Sequence, residues 1–333
     1  MIRGDISADE HSLHRQSYAT LSSKTGVDQG ALEAICRLAI AHRIFSEPEE
    51  GHLAHSPASR HLAQDWAVAA SKAFADDFYP ISAYLARALE QYPQANEAKY
   101  AASALANGVG GEKSFYEMIN QYPERAKNFH STMHLAQGLP GLSWEHLVNG
   151  YDWGDLDDGS ICVDVGGGHG QAALAVSAKF PSLEWIVQDS AQGLLDHPPV
   201  PEGTNVMYME HDFLQPQPLT TKGAKIFFMR WILHNWPDQY CHRILDGLIP
   251  SLEHGAHVLI MEQLMPPPGG VSNMWERNLR SHDVGQLALG NGRERDRTQW
   301  QRLIDGADGR FELSRVIEPE GSDLAILEVM WKG

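Results

Sequence analysis

Short apolar runs separated by helical patterns dominate the C-terminal half of the chain. The first, Ile161-Cys162-Val163-Asp164-Val165, reads as a strand buried on both faces. Gly166, Gly167, Gly168, His169 and Gly170 follow, and then an Ala-rich helical pattern from Gln171 to Lys179 that Pro181 ends. A second apolar run, Leu183 to Val187, closes on Asp189. Further strands are expected at Val206–Tyr208, Ile226–Arg230, Val258–Glu262 and Ala325–Met330, with a seventh at Phe311–Val316. Helices fall between them, notably Pro237–Pro250 and Arg297–Ile304. This alternation predicts a doubly wound, mostly parallel α/β sheet, in which ligands bind beyond the carboxyl ends of the strands.

The N-terminal half has a different rhythm. Tyr18 to Lys24 is a short helical pattern stopped at Thr25-Gly26, and Asp28 can cap a second helix with Leu32, Ile35, Cys36, Leu38 and Ala39 at helical spacing. Arg43-Ile44-Phe45 and His52-Leu53-Ala54 flank an acidic turn, as in a small hairpin. Helix, helix, hairpin is a winged-helix plan, used either to bind DNA or to support a dimer. The second helix carries Asp28, Gln29 and Glu33 with Arg37 as its lone base, which favours the architectural role. Residues 63–150 read as helices throughout, with Pro80 expected to interrupt between Trp66–Tyr79 and Ile81–Gln91. The predicted organisation is therefore 1–62, 63–150 and 151–333.

Composition narrows the partners. A net charge of −17 argues against a broad nucleic-acid surface. Cys36, Cys162 and Cys241 are far apart and form no C-x-x-C pair, so neither a zinc knuckle nor a disulfide framework is indicated. The polar start, MIRGDISADEHSLHRQ, is no signal peptide, and no run of about 18 apolar residues suggests a membrane span. A cytoplasmic protein without metal, membrane or nucleic-acid partners is expected.

The strand ends carry the candidate chemistry. Glycines after the first strand let a ligand lie against bare backbone. Asp189, at the tip of the second, can accept hydrogen bonds from both hydroxyls of a ribose. Gln171 stands where a dinucleotide fingerprint needs its third glycine, and no Lys follows for a P-loop. Asp212 and Phe213, after the third strand, suit hydrogen bonding to and stacking on a purine. The fourth strand ends at Arg230-Trp231-Ile232-Leu233-His234-Asn235-Trp236-Pro237-Asp238 and the fifth at Met261-Glu262. A later loop holds Asn291-Gly292-Arg293-Glu294-Arg295. One His and two Glu thus converge on one rim.

Several ordered motifs now carry a resemblance. The stretch Asp164–Gly170 (DVGGGHG) resembles the first motif of the S-adenosylmethionine-dependent methyltransferases. Met229–Asp238 (MRWILHNWPD) resembles the signature of the plant and fungal class I O-methyltransferases, the group containing caffeate and flavonoid O-methyltransferases. Met261–Pro266 (MEQLMP), Asn291–Arg295 (NGRER) and Phe129–Met133 fit the same family, so the resemblance spans roughly Tyr18 to Lys332. It implies a Rossmann-like methyltransferase sheet preceded by a winged-helix and helical N-terminal domain, with S-adenosyl-L-methionine as cofactor. The acceptor it implies is a hydroxyl of a small aromatic or polyketide-like secondary metabolite. His234 would be the general base, flanked by Glu262 and Glu294, a role suited to a group that titrates near neutrality. Asp164, Gly166, Gly167, Gly168, Asp189, Asp212, Phe213 and Arg230 would hold the cofactor, Arg230 replacing a frequent Lys. His130 and Met133 match positions facing the acceptor, and Trp231 is a candidate for the pocket wall or the core.

Departures from the family pattern are Asn235, where Asp is common, and Asp296, where Thr is common. The resemblance also implies a homodimer, although the family usually interlocks its subunits through a longer helical segment than the sixteen or so residues that precede the winged unit here. Two alternatives stay open: the same fold repurposed for a pericyclic rearrangement or dehydration, which retention of His234, Glu262 and Glu294 argues against, and a metabolite-sensing winged-helix regulator, which the acidic charge argues against.

Overall fold

A computed structural model describes residues 15–137, 139–195 and 197–333; for His130 and residues 133–137 it describes the backbone alone. The chain divides into two compact units, Met1–Phe74 with Lys127–Thr132, and Ala75–Ala126 with Met133–Gly333.

In the first unit, β1 (Gln16–Ser17), α1 (Tyr18–Thr25), α2 (Gln29–Ala41), β2 (Phe45–Glu49), β3 (His52–His55), α3 (Pro57–Leu62) and α4 (Asp65–Ala73) follow in order. The strands form an antiparallel sheet in the order β1-β3-β2. Gly26 ends α1 in the left-handed region, φ 70°, which an L side chain rarely adopts. Asp28 caps α2 by accepting from the Ala31 N–H at 3.0 Å, a contact worth about 1 kcal/mol. Tyr18, Leu21, Leu32, Cys36 and Leu53 form the core of this unit.

Five helices lead to the large sheet: α5 (Tyr79–Gln91), α6 (Ala102–Ala106), α7 (Phe115–Ile119), α8 (Pro123–Gln137) and α9 (Glu145–Gly150). The expected break at Pro80 is absent. A π-helical turn, Phe74–Phe78, joins α4 to α5, and Pro80 lies in the first turn of α5, where its missing N–H costs nothing.

The sheet comprises β4 (Ile161–Val165), β5 (Glu184–Asp189), β6 (Asn205–Glu210), β7 (Ile226–Arg230), β8 (His257–Glu262), β9 (Phe311–Ile317) and β10 (Ala325–Trp331), in the order β6-β5-β4-β7-β8-β10-β9. The five strands from β6 to β8 are parallel; β10 runs antiparallel to both β8 and β9. The apolar runs have a simple cause. Val163, Val165, Phe227, Met229, Val258 and Ile260 face one core, and Cys162, Trp185, Val187, Phe228, Leu259 and Met261 face the other. With both faces buried, the period of two is hidden within continuous hydrophobicity. Helix α10 (Gln171–Lys179) covers the second face through Ala172, Ala173 and Val176. The first is covered by α11 (Asp238–Leu248) through Ile244 and Leu245, and by α13 (Arg297–Asp305) through Trp300 and Ile304. Between them in sequence lies α12 (Asn273–Gly290). Parallel pairing puts the carboxyl ends of β4 to β8 on one edge, and so brings together groups up to a hundred residues apart. Among the described residues no helix is long and apolar enough to cross a membrane.

Candidate active site

The glycine turn leaves β4 with Gly166 at φ 71° and Gly168 at φ 54°. A Cβ on Gly166 would stand 2.5 Å from Ile232 Cδ1 and 3.7 Å from Phe213 Cε1, whereas one on Gly168 would meet nothing within 4 Å. A Cβ on Gly167 would collide with the Asp164 carboxyl group. The turn is therefore packed on its sheet side and open above Gly168. Asp189 sits beside that opening. Its Oδ2 accepts from the Gly168 N–H at 2.9 Å and its Oδ1 from the Ser190 N–H at 2.7 Å. Asp164 is buried, and burial together with the nearby Asp189 carboxylate raises its pKa to about 7; its Oδ2 has no hydrogen-bond partner.

Arg230, at the tip of β7, is buried with its guanidinium 4.0 Å from the Trp144 ring centroid and 5.0 Å from that of Trp231. One amino group donates to the Leu142 carbonyl at 2.7 Å, while Nε and Nη1 have no partner. Burial lowers its pKa to about 10. Phe213 lies edge-on to Trp236, with centroids 6.1 Å apart. Asp212, by contrast, is exposed and caps its own turn by accepting from the Leu214 N–H at 2.9 Å. The side chains of His130 and Met133 lie outside the described residues.

His234, Glu262 and Glu294 do converge. His234 Nδ1 lies 2.7 Å from Glu294 Oε1 and 3.5 Å from Glu262 Oε2. All three are buried, Glu262 completely. Glu262 reaches across from β8, and its Oε1 accepts from the N–H groups of Ile232 and Leu233 at 3.0 Å and of His234 at 3.4 Å. One carboxylate thus anchors the backbone that carries the imidazole while its second oxygen faces the ring. Burial raises the Glu262 pKa to about 7, which His234 opposes. For His234, burial pulls the pKa down, but the two carboxylates outweigh it and raise the value. With Nδ1 turned to the two carboxylates, Nε2 lies on the opposite side of the ring. A ring nitrogen of His234 and one carboxylate oxygen from each Glu lie within 4.8 Å of one another.

The loop around His234 is fixed from several sides. Trp231 has φ 56°, a strained value for a bulky residue, and its carbonyl accepts from Asn235 Nδ2 at 2.8 Å. Asn235 therefore has a local task, holding the turn that carries His234. The Trp231 and His234 rings lie nearly parallel, at 8° and 6.5 Å. Arg295 is 1% exposed and donates to the carbonyls of Leu233 (3.2 Å) and Trp236 (3.1 Å) and to Asp238 Oδ1 (2.7 Å). Asp283, on α12, accepts from the Glu294 N–H at 2.9 Å. Asp296 caps α13 in a reciprocal pair with Gln299, so its departure from the family pattern leaves the helix start intact.

Gly292 makes a checkable point. A Cβ there would overlap the His234 carbonyl oxygen and stand 2.6 Å from the Asn235 carbonyl carbon. Gly292→Ala must push this backbone aside. Misplacement by about 1 Å costs on the order of 10²-fold in rate, so kcat should fall by that factor with cofactor affinity unchanged. Steady-state kinetics and calorimetric titration check both halves.

A glycine turn after the first of five parallel strands, an acid on the second and a buried His between carboxylates on the fourth and beyond thus share one edge of the sheet. Residues 86–309 match the model of the O-methyltransferase domain. O-methyltransferase gsfB of Penicillium aethiopicum is 36% identical over 321 residues, covering 95% of this chain and 74% of that protein. The chain belongs to this family of O-methyltransferases, whose methyl donor is S-adenosylmethionine. The crystal structure of OxaC in complex with sinefungin and meleagrin shares the fold, with TM-score 0.81, 22% identity and coverage of 96% of this chain and 80% of that one. So does a pericyclic reaction enzyme, with TM-score 0.78, 21% identity and coverage of 97% and 82%.

Proposed function

We propose that the protein methylates a hydroxyl of a small aromatic or polyketide-like secondary metabolite, with His234 as general base. The observation that supports this reading most directly is the 2.7 Å contact between His234 Nδ1 and Glu294 Oε1, which leaves Nε2 facing outward from a buried carboxylate pair. S-adenosylmethionine supplies an electrophilic methyl group when bound. Asp189 would hold the ribose hydroxyls over the open Gly168, and Phe213 would pack near the base. The unpartnered nitrogens of Arg230 and the unpartnered Asp164 Oδ2 suit the charged groups of the amino-acid end. His234 Nε2 would take the proton of the acceptor hydroxyl, and Glu294 and Glu262 would steady the imidazolium that results. Trp231 would wall the acceptor. The division at 62 and 150, the winged-helix character of the first unit and assembly into a homodimer through it belong to the same proposal.

Purified protein given a labelled methyl donor and a panel of phenols should label at least one of them. Binding of S-adenosylhomocysteine without any transfer would favour the repurposed reaction instead. The pH profile is a second test. The base must be neutral, so kcat should rise with pH through the His234 pKa, which its carboxylates raise above about 6.5. Glu294→Gln removes one of them and should move this limb to lower pH. A limb that stays in place would detach His234 from the rate.

A further inference from the structure

Among the described residues, four buried polar side chains stand on the parallel strands: Asp164, Gln188, Arg230 and Glu262. All but Gln188 belong to the site above. Gln188 precedes Asp189 at the tip of β5, and strand alternation puts it on the side of Ile186, in the core under α11 and α13. Its amide meets that of Gln217 in a reciprocal pair, each Nε2 donating to the other's Oε1 at 2.9 Å. Both residues are buried, at 1% and 5% exposure. The Thr221 hydroxyl lies 3.2 Å from Gln217 Oε1, and the Gln217 N–H donates to the Gly247 carbonyl of α11 at 2.8 Å.

The pair joins two segments that frame the opening above Gly168. The Gln188 carbonyl accepts from the Gly166 and Gly167 N–H groups at 2.8 and 3.0 Å, so its backbone holds the glycine turn. Its side chain holds Gln217, which closes the loop that leaves β6 at His211 and carries Asp212 and Phe213. The same loop is tied to β5 at its start, where the His211 N–H donates to the Asp189 carbonyl at 2.9 Å. Between these two ties the Phe213 ring packs back on the turn: a Cβ on Gly166 would stand 3.7 Å from its Cε1. An amide pair in an apolar core adds little net stability over apolar side chains of the same shape. Its two directional bonds instead admit one register of loop against strand.

We infer that Gln188 and Gln217 are positioning residues for the cofactor: their amide pair fixes the loop carrying Phe213 relative to Asp189, so that the adenosine half meets a preformed slot. This rests on the proposed placement of the nucleoside over Gly168 and deepens it, and it does not depend on the role of His234.

Methionine nearly matches glutamine in shape but cannot form the pair. Gln188→Met and Gln217→Met each leave one buried amide without its partner and should melt below wild type. The double variant removes both amides and should regain most of that melting temperature. Its affinity for S-adenosylhomocysteine, read by titration calorimetry, should still lie about 10-fold below wild type, the weight of one net hydrogen bond. In methyl transfer its KM for S-adenosylmethionine should rise by a similar factor while kcat holds, because the ring contacts of His234 do not include the pair. A merely structural pair would let the double variant bind as wild type does, and that result overturns the inference. If the double variant does not fold, the single variants decide. S-adenosylhomocysteine should then raise their melting temperatures by less than it raises that of wild type, and equal shifts overturn the inference. Asp189→Ala shows which premise has failed. If it binds S-adenosylhomocysteine as wild type does, the nucleoside lies elsewhere, and the inference falls with that placement. If it loses affinity while the double variant keeps it, the inference alone falls.

Discussion

In His234→Ala, methyl transfer to any accepted phenol should fall by about 10²- to 10⁴-fold, the range over which a positioned general base acts. Cofactor affinity should stay close to wild type, because nothing in the His234 side chain reaches the glycine turn. Its ring contacts are Glu294, Glu262 and the parallel Trp231. The variant leaves two buried carboxylates facing each other without the imidazole. Repulsion in a low-dielectric site should drive one to take up a proton, and Glu262, already raised to about 7, is the natural site. Some loss of stability is expected, so His234→Gln serves as a control that keeps a donor near Glu294. Full activity in either variant would remove His234 from the chemistry. Loss of cofactor binding together with activity would place its role in the fold.

Asp189→Ala should weaken binding of S-adenosylhomocysteine by on the order of 10²-fold or more. A carboxylate accepting two hydroxyl hydrogen bonds loses about 1.5–3 kcal/mol for each. The variant also releases the Gly168 and Ser190 N–H groups that Asp189 now holds, so the turn itself loosens. Asp189→Asn keeps one acceptor and should lie between. Titration calorimetry separates the three proteins directly. Equal affinities would mean that the nucleoside lies somewhere other than the opening above Gly168.

Most of the sheet was legible because its strands are buried on both faces. Ile226–Arg230 is buried throughout, and its sequence shows it as an unbroken run. The ends of such strands must lie on one edge when they run parallel, which is why Asp189, His234 and Glu262 could be grouped from sequence alone. Glu294 came from a motif, since its approach depends on how α12 folds back. The remainder depends on long-range partners that leave no local trace. Arg295 looks like an ordinary surface base until its carbonyl partners at Leu233 and Trp236 are seen. Asp283 belongs to a helix of mixed composition, with Gly285 in its midst, that shows no clear apolar stripe. Pro80 reads as a break because a proline in a first turn and a proline that breaks a helix look identical in sequence until the preceding turn is known to be π-helical.

The mooring of His234 has a consequence for how the protein can be altered. The imidazole is held by Glu262 from β8, by Glu294 and Arg295 from the loop after α12, and by Asp238 through Arg295. Every one of these residues follows β4 in the chain. Residues 79–119, with α5, α6 and α7, contain none of these groups, but they brace the loops that do: Ser103 donates to the Leu289 carbonyl and Asn291 to the Glu97 carbonyl, so an exchange of that segment must keep both contacts. Diversification of this scaffold, by evolution or in the laboratory, can then proceed with the His234 mooring inherited whole.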